Sequence, residues 1–155
     1  MAIRFAILEI KKNDMNAIYH SFVVEVDPPK VFAAITEPEH LIQWWPKRCS
    51  GIADIGAEYN FFFEEPYNWF AKVSEIKVNE SIAFKMTKSD PDWDPTTFGF
   101  DLKDHKKGTY VSFYHKDWPD QNEHMKYSSF CWAMLLNGLK DYLEKGKVIP
   151  FEERA

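Results

Sequence analysis

Between Gly56 and Lys116 apolar and mixed side chains alternate with a period of two in five successive segments, with turn residues at the breaks. Tyr59, Phe61 and Phe63 oppose Asn60, Phe62 and Glu64, and the break falls at Glu65-Pro66-Tyr67-Asn68. The later segments carry Trp69, Ala71 and Val73, then Ile82, Phe84 and Met86, then Phe98, Phe100 and Leu102, then Val111, Phe113 and His115. Neighbouring side chains of a strand point to opposite faces, so this pattern predicts strands, and the close spacing of the turns predicts an antiparallel meander. Most segments have one apolar and one mixed face, which requires a cover on one side of the sheet only. The cover comes from residues 123–146, where Met125, Ser128, Trp132, Leu135, Leu136, Leu139, Tyr142 and Leu143 recur at helical spacing and Gly146 supplies a stop. One long helix held against one curved antiparallel sheet is an α+β architecture.

The N-terminal part adds to this frame. Residues 17–26 alternate Ile18, His20, Phe22 and Val24 against Tyr19, Ser21 and Val23, which predicts a first strand. Asp27-Pro28-Pro29 ends it and opens a short helix, with the carboxylate placed to cap free amides and proline tolerated in the first turn. Thr36-Glu37-Pro38-Glu39 repeats the pattern, predicting a second short helix from Pro38 to about Trp45 that Pro46 stops. A weaker alternation over Ile3, Phe5 and Ile7 predicts a further strand, giving six to seven in all. Residues 1–17 are thus expected to be an extension, 18–146 the domain and 147–155 a tail. Residues 3–10 would pair with residues 17–26 or contribute to a homodimer, since an apolar strand must be covered or paired; the chain is otherwise expected to be a monomer.

Length and charge exclude several classes. A chain of 155 residues makes one ordinary domain, burying roughly 68–70% of its unfolded surface without a metal or disulfide. The net charge is −5 and no basic run exceeds two residues, which argues against a nucleic-acid partner. Cys49 and Cys131 lack metal or redox spacing. No apolar stretch approaches the length of a signal peptide or membrane span, so a cytoplasmic location is expected. The aromatic content is the anomaly: 6 Trp, 7 Tyr and 13 Phe make up 17% of the chain. Such bulk builds either a dense core or the walls of a pocket.

Three segments resemble, in order and spacing, the family of activator-of-heat-shock-chaperone-ATPase homologues. They are Val31-Phe-Ala-Ala-Ile-Thr-Glu-Pro-Glu-His-Leu-Ile-Gln-Trp-Trp45, Lys107-Gly-Thr-Tyr-Val-Ser-Phe-Tyr-His115 and Trp132-Ala-Met-Leu-Leu-Asn-Gly-Leu-Lys-Asp-Tyr-Leu143. The family belongs to the START-like (SRPBCC, birch-pollen-allergen-like) superfamily. The resemblance implies its helix-grip fold, a curved sheet around a long C-terminal helix, with a cavity between them. Here Pro46 directly follows the tryptophan pair and Cys131 precedes the helical tryptophan, where family members often have Gly-Pro and glycine.

Pattern and resemblance together give candidate walls for a pocket that takes a small hydrophobic or aromatic molecule. From the sheet come Phe61, Phe63, Trp69, Phe84, Met86, Phe98, Phe100, Phe113 and His115, with Trp45 beside it. Ser128, Trp132 and Leu136 come from the long helix. Plain core packing is the alternative for each of these side chains. An enzyme of the cyclase or dehydratase type is the second reading, with His115 as acid or base assisted by Tyr59 or Ser128; a loop-bonded structural histidine is the alternative for His115. A co-chaperone stimulating a heat-shock ATPase is the third, weakened because eukaryotic co-chaperones carry a separate N-terminal domain that 17 residues cannot supply. No His-x-x-x-His pair occurs and the Glu37-x-x-His40 spacing begins outside the predicted helix, so neither a metal nor a cofactor is expected, and His40 reads as a solvated surface residue.

Overall fold

The computed structural model describes residues 16–155. A sheet of seven antiparallel strands comprises β1 (Ile18–Val24), β2 (Arg48–Ser50), β3 (Glu58–Phe62), β4 (Asn68–Lys77), β5 (Ser81–Lys88), β6 (Thr97–His105) and β7 (Gly108–Lys116). Three α-helices, α1 (Pro28–Thr36), α2 (Pro38–Leu41) and α3 (Glu123–Lys145), and a 3₁₀ turn at Phe151–Glu153 complete the described residues. The sheet order is β1-β7-β6-β5-β4-β3-β2, so β2 to β7 form the expected meander and β1 closes onto its last strand. Ile18 lies opposite His115 and Val24 opposite Thr109, which fixes the register of that closure.

The seventh strand is β2, which has only three residues and therefore too little length to show a period. The strand expected over residues 3–8 lies outside the described residues, as does any hairpin or dimer contact through residues 3–10.

Two helix boundaries differ in detail from expectation. Asp27 occupies the cap position of α1 with extended backbone, but its side chain makes no capping bond. Its carbonyl instead accepts the Lys30 and Val31 amides at 3.0 and 3.3 Å, and proline in the first turn leaves fewer free donors to satisfy. Helix α2 ends at Leu41 rather than near Trp45. The chain turns there because the two tryptophans are drawn in different directions: Trp44 donates its indole N–H to the Ala34 carbonyl at 2.9 Å, while Trp45 packs on Phe61 and Trp132 with ring centroids 4.8 and 4.9 Å away.

Helix α3 has both predicted ends. The Asn122 side chain accepts the Met125 amide, and Gly146 adopts a left-handed conformation (φ 65°) that lets its N–H return to Tyr142. Its buried face carries Ser128, Trp132, Leu136 and Leu139. Polar ties hold it across β1: Lys140 Nζ donates to the Val23 carbonyl at 2.6 Å and the Glu25 amide to Glu144 Oε2 at 2.7 Å. Residues 147–155 return to the body of the fold, where Arg154 donates to the carbonyls of Ile149 and Ile42, each at 2.8 Å.

The β6–β7 turn is built around Gly108, whose φ of +145° L side chains rarely adopt. A Cβ there would collide with the Val24 carbonyl oxygen and lie 2.7 Å from the Val26 amide nitrogen. Thr109 next to it donates its hydroxyl to the Val26 carbonyl at 2.7 Å, so the turn cannot move off without losing that bond. Gly108→Ala is therefore expected to lower stability by about 2–3 kcal/mol, measured as a reduced midpoint in urea unfolding at unchanged slope.

Candidate functional site

Where the first half of α3 crosses the β3–β4 end of the sheet, the two layers separate and leave a cleft of about 360 Å³. Five of the aromatic rings that line it form a closed circuit of contacts. Trp45 meets Phe63 (5.5 Å), Phe63 meets Trp69 (5.1 Å), Trp69 meets Trp93 (4.6 Å), Trp93 meets Trp132 (6.0 Å) and Trp132 returns to Trp45 (4.9 Å). Each comes from a different place: the turn after α2, the end of β3, β4, the 89–95 loop and α3. The remaining lining consists of Tyr67, Asp90, His124, Tyr127, Ser128, Cys131, Leu135 and Ala155.

Of the residues expected in the walls, Trp45, Phe63, Trp69, Ser128 and Trp132 line this cleft. Phe61, Phe84, Met86, Phe98, Phe100 and Phe113 lie behind them, none more than 2% exposed. Leu136 lies one turn further along α3, on a different surface groove shared with His20 and Phe22. Strand parity assigns a face of the sheet, not a depth. Trp132 descends onto Phe113 (4.5 Å) and Phe98 (5.6 Å) and fills the space above them, so this stretch of the interior is solid core.

His115 is also core. It is fully buried, and both ring nitrogens are engaged. Trp132 Nε1 is 3.1 Å from Nδ1, and an indole nitrogen can only donate, so Nδ1 is the acceptor and Nε2 carries the proton. Nε2–H then donates to Thr96 Oγ1 at 2.8 Å, and the Thr96 hydroxyl donates to the Trp93 carbonyl at 2.6 Å. Burial first, and the nearby His124 second, push the His115 pKa down to about 3. The imidazole is thus neutral and fully bonded around neutral pH, where the expected acid or base would have to act. It reaches a loop carbonyl only through Thr96. Tyr59, offered as its helper, is buried elsewhere and donates to the Thr36 carbonyl at 2.7 Å.

His40 keeps a side chain 37% exposed at the surface, but it is bonded rather than free in solvent. Its Nδ1 lies 2.7 Å from the Tyr142 hydroxyl and its Nε2 3.3 Å from Glu37, tying α2 to α3. Glu37, Glu39 and His40 bring their ligand atoms within 4.8 Å of one another. The carboxylates are exposed and both imidazole nitrogens have partners, so the cluster reads as a tether.

Trp93 is the lining residue that sequence reasoning missed most plainly. It sits in Ser89-Asp-Pro-Asp-Trp-Asp-Pro95, which reads as an exposed polar loop, yet it is only 6% exposed. The available signal was the residue type itself, since an indole amid aspartates and prolines has no reason to stay in water.

The family model described as Activator of Hsp90 ATPase homolog 1-like protein matches residues 25–144. The chain belongs to this family. Among solved structures, the Aha1 dimer from Colwellia psychrerythraea is 29% identical with a TM-score of 0.78, over 84% of this chain and 98% of that one. Protein SSP2350 from Staphylococcus saprophyticus is 24% identical with a TM-score of 0.74, over 86% and 95% of the two chains. DynU16, from the dynemicin biosynthetic locus, shares the fold at 18% identity and a TM-score of 0.73, over 86% of this chain and 49% of that one. No curated protein sequence matches. The seven-stranded antiparallel sheet, the short helices after its first strand and the long C-terminal helix are the Activator of Hsp90 ATPase homolog 1-like fold. No helix among the described residues is long and apolar enough to cross a membrane.

A neutral buried histidine in this family member links stability to pH. The folded-state value is lowered, so its contribution is complete above the unfolded value of 6.5 and is lost as the pH falls toward about 3. Between pH 7 and pH 4 the wild-type protein should lose on the order of 3 kcal/mol through this group. In His115→Gln, stability at pH 7 should be lower and its dependence on pH in that window shallower, measured by urea unfolding at both pH values.

Proposed function

We propose that the chain binds a small apolar or aromatic molecule in the cleft between the first half of α3 and the β3–β4 end of the sheet. The closed circuit of Trp45, Phe63, Trp69, Trp93 and Trp132 carries this reading. Core aromatics normally gain by packing all of their faces, yet these five together form one wall of a cleft of about 360 Å³, within the usual range for small-molecule sites. Few polar groups reach it, chiefly Asp90, His124 and Ser128. Flat rings suit such walls, because stacked and edge-on contacts add to the burial of apolar area. Binding is favoured over catalysis because the histidine on which a catalytic reading was built already has both nitrogens bonded inside the core.

Naphthalene serves as a probe, and the six indole N–H resonances are the readout. In a ¹⁵N NMR titration, the signals of Trp45, Trp69, Trp93 and Trp132 should shift, whereas those of Trp44 and Trp118, which do not line the cleft, should stay in place. Cys131→Trp, which adds an indole to the cleft wall, should weaken binding at least about tenfold with the fold retained. Uniform small shifts at all six signals, or undiminished binding to Cys131→Trp, would refute the proposal.

A further inference from the structure

We infer that His124, oriented by Asp92, is the ligand-contacting polar end of the cleft and selects aromatic molecules that carry a hydroxyl donor, a phenol or an enol. The inference rests on the binding reading above. Asp92 belongs to the same loop as Trp93. While Trp93 is inserted among Trp69, Trp132 and His115, the neighbouring carboxylate faces the start of α3. There its Oδ2 lies 3.1 Å from His124 Nδ1 and accepts the Asn122 side-chain amide at 3.2 Å. Asn122 is also the N-cap of α3, so one residue positions both the helix end and the carboxylate. The Trp118 ring meets the His124 ring edge-on at 5.6 Å, which supports the imidazole from a third side.

An exposed histidine–carboxylate pair would ordinarily be a surface ion pair of little consequence. Two features set this one apart. His124 lines the aromatic cleft, and its Nε2 has no partner among the described residues. An ionised carboxylate only accepts, so the neutral ring keeps its proton on Nδ1 and leaves Nε2 as a bare acceptor. Such a nitrogen gains from a ligand O–H and gains nothing from an ether oxygen at the same place. His124 would touch the ligand, and Asp92 would act through it as a positioning residue.

The matched pair 2-naphthol and 2-methoxynaphthalene isolates this contact, because the two share a ring system and differ in the donor. The wild-type protein should bind the naphthol about tenfold more tightly. In His124→Phe, which keeps a ring against Trp118, the ratio of the two affinities should fall to near one, and in Asp92→Ala to an intermediate value. The readout is the affinity ratio from NMR or calorimetric titration, with melting temperatures as the control for folding. A wild-type ratio near one, or a preference that survives in a folded His124→Phe, would overturn this inference and leave the cleft reading intact. If His124→Phe does not fold, an undiminished preference in Asp92→Ala overturns it equally. Failure of both compounds to move the indole signals of Trp45, Trp69, Trp93 and Trp132 would sink the cleft reading together with it.

Discussion

A single directed run of hydrogen bonds holds the centre of this protein: Trp132 to His115, His115 to Thr96, Thr96 to the Trp93 carbonyl. It joins the long helix, the last strand, the start of β6 and the 89–95 loop through their buried interior, where the surrounding contacts are aromatic. Every donor in it has one acceptor and the direction is set by the indole, which cannot accept. Reversing or removing any link leaves a buried polar group without a partner, which costs more than the bond itself contributes. The run thereby selects one arrangement of Trp93 and Trp132 from the many that aromatic packing alone would tolerate.

Placing those two tryptophans divides the interior. On the side of β5 to β7, Trp132 and the phenylalanines of the sheet interlock and leave no space. On the side of β3 and β4 the same tryptophan is one wall of an opening, and Trp93 is the wall beside it. The aromatic surplus therefore serves both uses between which composition could not choose, and the boundary between them runs through the Trp132 side chain. Dispersion favours closing such an opening. Four indoles and one phenyl ring, anchored from five separate segments, hold it open.

The loop between β5 and β6 does more than connect. Trp93 enters the core, Asp92 reaches the helix cap, and Ser89 donates its amide to Asp94 Oδ1 at 2.6 Å, so a polar segment of seven residues is tied at both ends and in the middle. A loop held in this way can carry a precise side chain at the edge of a cleft, a task for which a mobile loop would be poorly suited.

Period-two alternation, the two proline-led helix starts, and the span of α3 with its Gly146 stop were all legible in the linear order of residues. Each depends on neighbours within a few positions, where steric preference and local hydrogen bonding decide. The strand β2 was not legible, because three residues show no period and pair only once β3 is in place. Of the candidate walls read from the sequence, Trp45, Phe63, Trp69, Ser128 and Trp132 line the cleft. Phe84, Met86, Phe98, Phe100 and Phe113 carry the same parity yet lie behind the cleft, since depth depends on how far α3 descends. The site of His115 was legible as an inward face, but its commitment to Trp132 and Thr96 was not. Likewise His124 and Asp92 stand 32 residues apart and become a pair only when the loop meets the helix. By itself the amino-acid order determined the elements and the face each one buries, because those follow from local geometry and the hydrophobic effect. Only the tertiary structure decided which aromatics pack solid and which leave a space, because that is settled by contacts between segments distant in the chain.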